Sequence, residues 1–208
     1  MRGRKIGCTS IHAQELLGTD GPFSGRVYDL HDTGFTLAGA DVVTEPLLEG
    51  EFAFVLGRDL APTPSRRSRD EVVAAVAAIR PAIEVVGGRW AQFLGAPVRA
   101  LMADAGANTR LVVGPATTDW DPDALADTAA TMTVDGEVTG QGHGRDVLGD
   151  PVEALRWLVD RLSARGITLP TGVTITTGTA TQVSPLPAGA TAVNRIDGLG
   201  SVELHRAG

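Results

Sequence analysis

The sequence predicts an α+β fold that is mainly β, and three observations predict it. The stretch EGEFAFVLGRDL, residues 49–60, alternates with period two: Glu49, Glu51, Ala53 and Val55 fall on one face, Phe52, Phe54 and Leu56 on the other. β-Branched segments broken by Gly and Pro return towards the C-terminus, as TGVTITTGTATQV (171–183) and GLGSVEL (198–204). Strong helix signatures occur in only two places.

Along the chain, residues 1–48 are rich in Gly, Asp and Thr, with turn signals DGP at 20–22 and DTG at 32–34, and read as short strands and loops. The strand at 49–60 follows, then a polar loop, APTPSRRSR. A helix is expected from Ser68, with Glu71 in capping-box spacing, to a stop at Pro81; Val72, Val73, Val76 and Ile79 give it an apolar stripe. The following AIEVVGG reads as a short buried strand containing Glu84. A second helix is expected from Asp150 as cap through Pro151 to Arg165, with Gly166 as its stop and Val152, Leu155, Leu158, Val159 and Leu162 as its buried stripe.

Composition sets the bounds. A chain of 208 residues suits one domain. With 43% hydrophobic and 21% charged residues and no apolar run of spanning length, it reads as soluble rather than membrane-bound, and no secretory leader is legible at MRGRKIGCTS, so a cytoplasmic location is expected. The net charge of -7 and the few aromatic residues argue against nucleic acid as a partner and favour small molecules. One cysteine, Cys8, excludes an internal disulfide and a thiolate-rich metal site.

The chemistry points to three glutamates. Glu49 and Glu51, at i and i+2 on a strand, face the same side with Cα atoms roughly 6.6 Å apart. Glu84 sits between Ile83 and Val85, with no basic residue adjacent in sequence. An unpaired carboxylate in such apolar surroundings costs several kcal/mol or is neutralised, and a cation removes that cost. Oxygen-only ligation selects hard ions, Mg²⁺ or Mn²⁺ over Zn²⁺, and leaves about three positions for water or a chelating substrate. The periodicity also accommodates a plainer arrangement, with Glu49 and Glu51 on a solvated face and Glu84 paired with Arg89 or another arginine.

Five strings occur in one order: GRKIG at 3–7, LLEGEFAFVLGRDL at 47–60, RPAIEVVGGR at 80–89, VLGDPVEALRWLVDRLSARG at 147–166 and GLGSVEL at 198–204. Together they resemble the 2-keto-4-pentenoate hydratases and 4-oxalocrotonate decarboxylases of the fumarylacetoacetate hydrolase superfamily, over nearly the whole chain. The most specific part is Glu-x-Glu followed some thirty residues on by Pro-Ala-x-Glu. The resemblance implies that Glu49, Glu51 and Glu84 are the metal ligands, that the fold is a mixed, strongly twisted β-roll with a few peripheral helices, and that the chain forms homodimers or larger oligomers. It implies 2-keto acid substrates, whose carboxylate and keto oxygen chelate the ion, and an enolate from which water is added, carbon dioxide lost or a carbon–carbon bond cut.

Further roles come from the same resemblance. Lys5 matches a lysine that carries a proton or anchors the substrate. Thr179, with Thr177 and Gly178, resembles a carboxylate-binding turn. Asp104, in MADAGAN, resembles an Ala-Asp-Asn segment near the family's active site that orients a water or the lysine, although an ordinary turn aspartate fits as well; Arg89 is a substrate-binding candidate. His12 and Glu15, three apart, resemble the pair that activates water in the hydrolase branch, but they fall out of exact register with it, and a surface pair on a short helix is the preferred reading.

The match has departures. The hydratases carry roughly fifty more residues of helical structure before the lysine motif, as the family pattern implies. In DGPFSG, Asp20 matches the first acid of a proton-transfer string, but Phe23 replaces the second. ADAGANTR lacks a serine common in the hydratases. The leading expectation is a hydratase of a 2-hydroxydienoate or 2-keto-enoate. The alternatives are a decarboxylase or C–C hydrolase, and a non-catalytic partner subunit.

Overall fold

A computed structural model describes residues 2–39, 45–88 and 95–208. Strands dominate, as expected. The larger sheet runs β2 (Phe23–Val27), β1 (Gly3–Gly7), β10 (Thr174–Thr179), β5 (Leu47–Leu56), β6 (Val76–Val86), β7 (Asn108–Val113) and β3 (Leu30–Asp32), with β11 (Ser184–Pro185) also paired to β5. The smaller sheet runs β4 (Phe35–Leu37), β13 (Gly200–Arg206), β12 (Thr191–Ile196), β8 (Ala129–Val134) and β9 (Glu137–His143). Both mix parallel and antiparallel pairs: β1 runs parallel to β10 and β13 parallel to β4, while β5, β6 and β7 are antiparallel.

Four α-helices lie among the described residues, α1 (Ile11–Leu17), α2 (Arg69–Val73), α3 (Val98–Ala103) and α4 (Pro151–Ser163). In α4 the Asp150 carboxylate accepts from the Val152 amide at 2.7 Å, Pro151 starts the helix, and Gly166 follows its end with φ +69°.

One expectation is overturned. The helix at Ser68 forms with its capping box, but it ends at Val73, and the chain runs as strand β6 straight through Pro81. Val72, Val73, Val76 and Ile79 satisfy helical spacing, yet pairing with the long apolar strand β5 decides the outcome. Pro81 is tolerated because a strand residue's N–H and C=O point to the same side. The Pro81 carbonyl accepts from Gly114, just past the end of β7, so the missing donor falls where the ladder stops.

The two faces of the large sheet divide the labour. Phe52 and Phe54, with Ile6 and Ile175, pack against Val152, Leu155, Leu158, Val159 and Leu162 of α4. Further along the same face, Leu48, Ile83, Val85 and Val112 meet Met132, Ala192, Val202 and Leu204 of the small sheet. Each fully buried aliphatic side chain contributes roughly 1.5–3 kcal/mol. The opposite face carries Lys5, Glu49, Glu51 and Glu84.

Candidate active site

Register brings the three glutamates together. Glu49 on β5 stands directly opposite Glu84 on β6, and Glu51 lies two residues on, on the same face. Carboxylate oxygens of all three lie within 4.8 Å of one another. Glu51 and Glu84 are 0% exposed, whereas Glu49 keeps some contact with solvent.

Only part of this charge is matched by the protein. Lys5, on β1 and 3% exposed, places its Nζ 2.6 Å from Glu84 Oε1 and donates to the Gly106 carbonyl at 3.1 Å. The Glu51 Oε2 accepts from the Gly178 amide at 3.1 Å. Glu51 Oε1 and Glu84 Oε2 are buried without a hydrogen-bond partner. Burial, and then the neighbouring Glu84 and Glu49 charges, hold the Glu51 carboxyl well above the usual carboxylate range. Burial likewise pushes Glu49 up to about 7, against the opposing pull of Lys5. For Lys5, burial opposes the charge, but Glu84, Glu49 and Glu51 outweigh it and raise the ammonium's pKa. Two orphaned carboxylate oxygens beside clustered negative charge fit a divalent cation with oxygen ligands.

Local structure supports Lys5. Ala105, Gly106 and Ala107 have φ of 55°, 73° and 61°, a run of left-handed backbone that turns the Gly106 carbonyl onto Nζ. Such a conformation costs an alanine roughly 1–2 kcal/mol, and strain of this kind collects at functional sites. The Phe23 ring lies 5.9 Å from the ammonium.

The other candidates separate. Thr179 pairs in register with Glu51, but its hydroxyl donates to the Thr181 carbonyl at 2.8 Å. Asp104 caps the C-terminal end of α3, beside the loop that holds Lys5. His12 and Glu15 are both exposed on α1, a helix with no buried residue, and Asp20 is exposed as well. Arg89 lies outside the described residues. Glu84 pairs with Lys5 rather than with an arginine. Missed from sequence were the Gly106 carbonyl, the Phe23 ring and the Gly178 amide in its role towards Glu51; the one available signal was the glycine in MADAGAN and TTGT.

Comparison with known proteins gives the family. A profile for the fumarylacetoacetate (FAA) hydrolase C-terminal region matches residues 23–205, and the chain belongs to that family. It is 34% identical over 204 residues to a 2-keto-4-pentenoate hydratase of Burkholderia vietnamiensis, covering 96% of this chain and 76% of the relative. It is 31% identical over 207 residues to a 2-hydroxyhexa-2,4-dienoate hydratase of Comamonas testosteroni, covering 98% and 77%. Among solved structures, the 4-oxalocrotonate decarboxylase from Pseudomonas putida G7, complexed with magnesium and adipate, superposes with a TM-score of 0.89 at 27% identity, over 99% of this chain and 78% of that one.

Proposed function

We propose that the protein is a divalent-metal-dependent hydratase of a 2-hydroxydienoate or 2-keto-enoate, with Glu49, Glu51 and Glu84 as metal ligands and Mg²⁺ or Mn²⁺ as the ion. The observation that carries the reading is the cluster itself: three carboxylates within 4.8 Å, two of them fully buried, with an ammonium on one and unpartnered oxygens on two. The curated relatives named as hydratases supply the reaction class.

When bound, the ion supplies Lewis acidity to the chelating end of the substrate. The protein's own groups do the rest. Lys5, held as an ammonium against Glu84 and the Gly106 carbonyl, faces the carboxylate cluster and stabilises negative charge developing on the substrate's 2-oxygen. The same Nζ is the candidate proton carrier, giving a proton to the substrate's carbon skeleton and recovering one from the water that adds. The Gly178 amide fixes Glu51, so its free oxygen keeps one direction.

Decarboxylation of a 2-keto acid is the second reading, favoured by the superposition on the decarboxylase and by the enolate that both reactions share. Carbon–carbon hydrolysis through His12 and Glu15 has less support, because both are exposed on a helix with no buried face. The partner-subunit reading has less again, because the cluster and Lys5 are all present. Assembly into a homodimer or larger oligomer belongs to the proposal, and sedimentation of the purified chain tests it. Among the described residues no helix is long and apolar enough to cross a membrane.

The deciding experiment is calorimetry with Mg²⁺ and Mn²⁺, oxalate serving as substrate mimic, on wild type and on Glu49→Gln, Glu51→Gln and Glu84→Gln. It is paired with a spectrophotometric assay of 2-hydroxypenta-2,4-dienoate. Metal and mimic binding cooperatively in wild type, with loss in each variant and loss of dienoate absorbance only with metal, is the expected result. No metal binding at millimolar concentration sinks the reading.

A further inference from the structure

Asn194 on β12 is 0% exposed and belongs to the small sheet, yet it reaches the two strands that carry the glutamates. Its Nδ2 donates to the Ala82 carbonyl at 2.9 Å. Ala82 is the register partner of Glu51 and precedes Glu84 by two residues on β6. The Asn194 Oδ1 faces Gly50, the residue between Glu49 and Glu51. A Cβ built on Gly50 would stand 2.7 Å from that oxygen and 3.0 Å from a methyl of Thr181. The Gly50 amide in turn donates to the Thr181 hydroxyl at 3.2 Å, and the Gly50 carbonyl accepts from the Ala180 amide at 2.7 Å. One side chain therefore presses on β5 and hydrogen-bonds β6 from directly behind the cluster.

Energetically this is a poor way to fill a core. Oδ1 is buried without a hydrogen-bond partner, which costs about 1–3 kcal/mol, and the residue's cross-strand partners, Met132 and Val202, belong to the apolar interface. A leucine occupies similar space without that cost. It neither donates to Ala82 nor offers a flat amide for Gly50 to approach.

We propose that Asn194 is a positioning residue for the carboxylate cluster: by tying the Ala82 carbonyl and backing Gly50, it sets the spacing of Glu49, Glu51 and Glu84 from the far side of the sheet. The inference rests on the reading of that cluster as a divalent-metal site. Groups that orient metal ligands change metal affinity by about 10–100-fold when removed.

The test uses the full chain and Mn²⁺ itself, with affinity from calorimetry and site symmetry from the Mn²⁺ electron paramagnetic resonance spectrum. The variants are Asn194→Leu and, as a stability control at a buried position of the same interface two strands away, Leu37→Ala. Asn194→Leu is expected to weaken Mn²⁺ by about tenfold or more and to broaden the spectrum. Leu37→Ala should lower the melting temperature while leaving affinity and spectrum as in wild type. Wild-type affinity and spectrum in Asn194→Leu, or equal losses in both variants, overturn the inference and leave the metal reading standing. Absence of Mn²⁺ binding by wild type overturns the metal reading first, and this inference with it. Should Asn194→Leu not fold, Asn194→Ser, too short to reach Ala82, takes its place with the same expectations.

Discussion

Lys5 and Glu84 are 79 residues apart in sequence and form a buried ion pair of 2.6 Å, with side chains 4% and 0% exposed. They reach each other from strands with β10 and β5 between them. The pair offsets one of three clustered carboxylates and places an ammonium at the edge of that cluster.

Replacing Lys5 by Met leaves Glu84 buried without its cation. Breaking a buried pair from one side costs about 3–5 kcal/mol, so Lys5→Met should unfold at markedly lower denaturant than wild type in EDTA. Mg²⁺ should restore part of that loss, and turnover should stay depressed by about 10²–10⁴-fold, the range for a lost proton-transfer group. Denaturant melts with and without Mg²⁺, run beside the dienoate assay, check both.

The metal-free protein should lose stability as pH rises from about 4.5 towards 7. Glu49, ordinarily near 4.5, is raised to about 7 by burial, and Glu51 is shifted in the same direction. Across that window the folded state holds more protons than the unfolded chain, so the slope of stability against pH is negative. Saturating Mg²⁺ should flatten or reverse the slope, and Glu49→Gln should reduce it. Melting temperatures in EDTA and in Mg²⁺ across the window provide the measurement; identical slopes for wild type and Glu49→Gln would contradict the assignment.

His12→Ala should leave turnover of the dienoate unchanged. The side chain is exposed on α1, and exposed substitutions typically alter stability by no more than about 0.5 kcal/mol. A general base would instead cost about 10²–10⁴-fold. A loss of that size in steady-state rates would revive the hydrolase reading.

Asp150→Ala should cost more than a cap alone. The carboxylate accepts from the Val152 amide at 2.7 Å and also pairs with Arg69 at 2.8 Å, tying α4 to α2. Loss of a cap is worth about 0.5–2 kcal/mol, and the upper end is expected here. Asp150→Asn retains the cap and should recover most of it in thermal melts, separating cap from ion pair.

Much of the site was legible because its carriers are local. Period-two alternation fixed which side of β5 holds Glu49 and Glu51, and an isolated Glu84 between Ile83 and Val85 marked the second strand. The end of α2 was not legible. Val72 to Ile79 carries a stripe that fits helix and strand alike, and the choice fell to pairing with β5, a partner about twenty residues earlier in the chain. His12 and Glu15 gave a true helix at the expected spacing, but spacing says nothing about whether a helix meets the site.

The sequence by itself determined the mainly β character, the cap and stop of α4, the all-oxygen chemistry of the three glutamates and the family to which the chain belongs. Those properties reside in residue type and short-range period. Only the tertiary structure decided that Glu49 stands opposite Glu84, that Lys5 reaches Glu84 rather than solvent, and that Asn194 backs Gly50 from another sheet. These contacts join residues 35 to 144 positions apart, and their geometry comes from strand register and sheet packing, which no local pattern encodes.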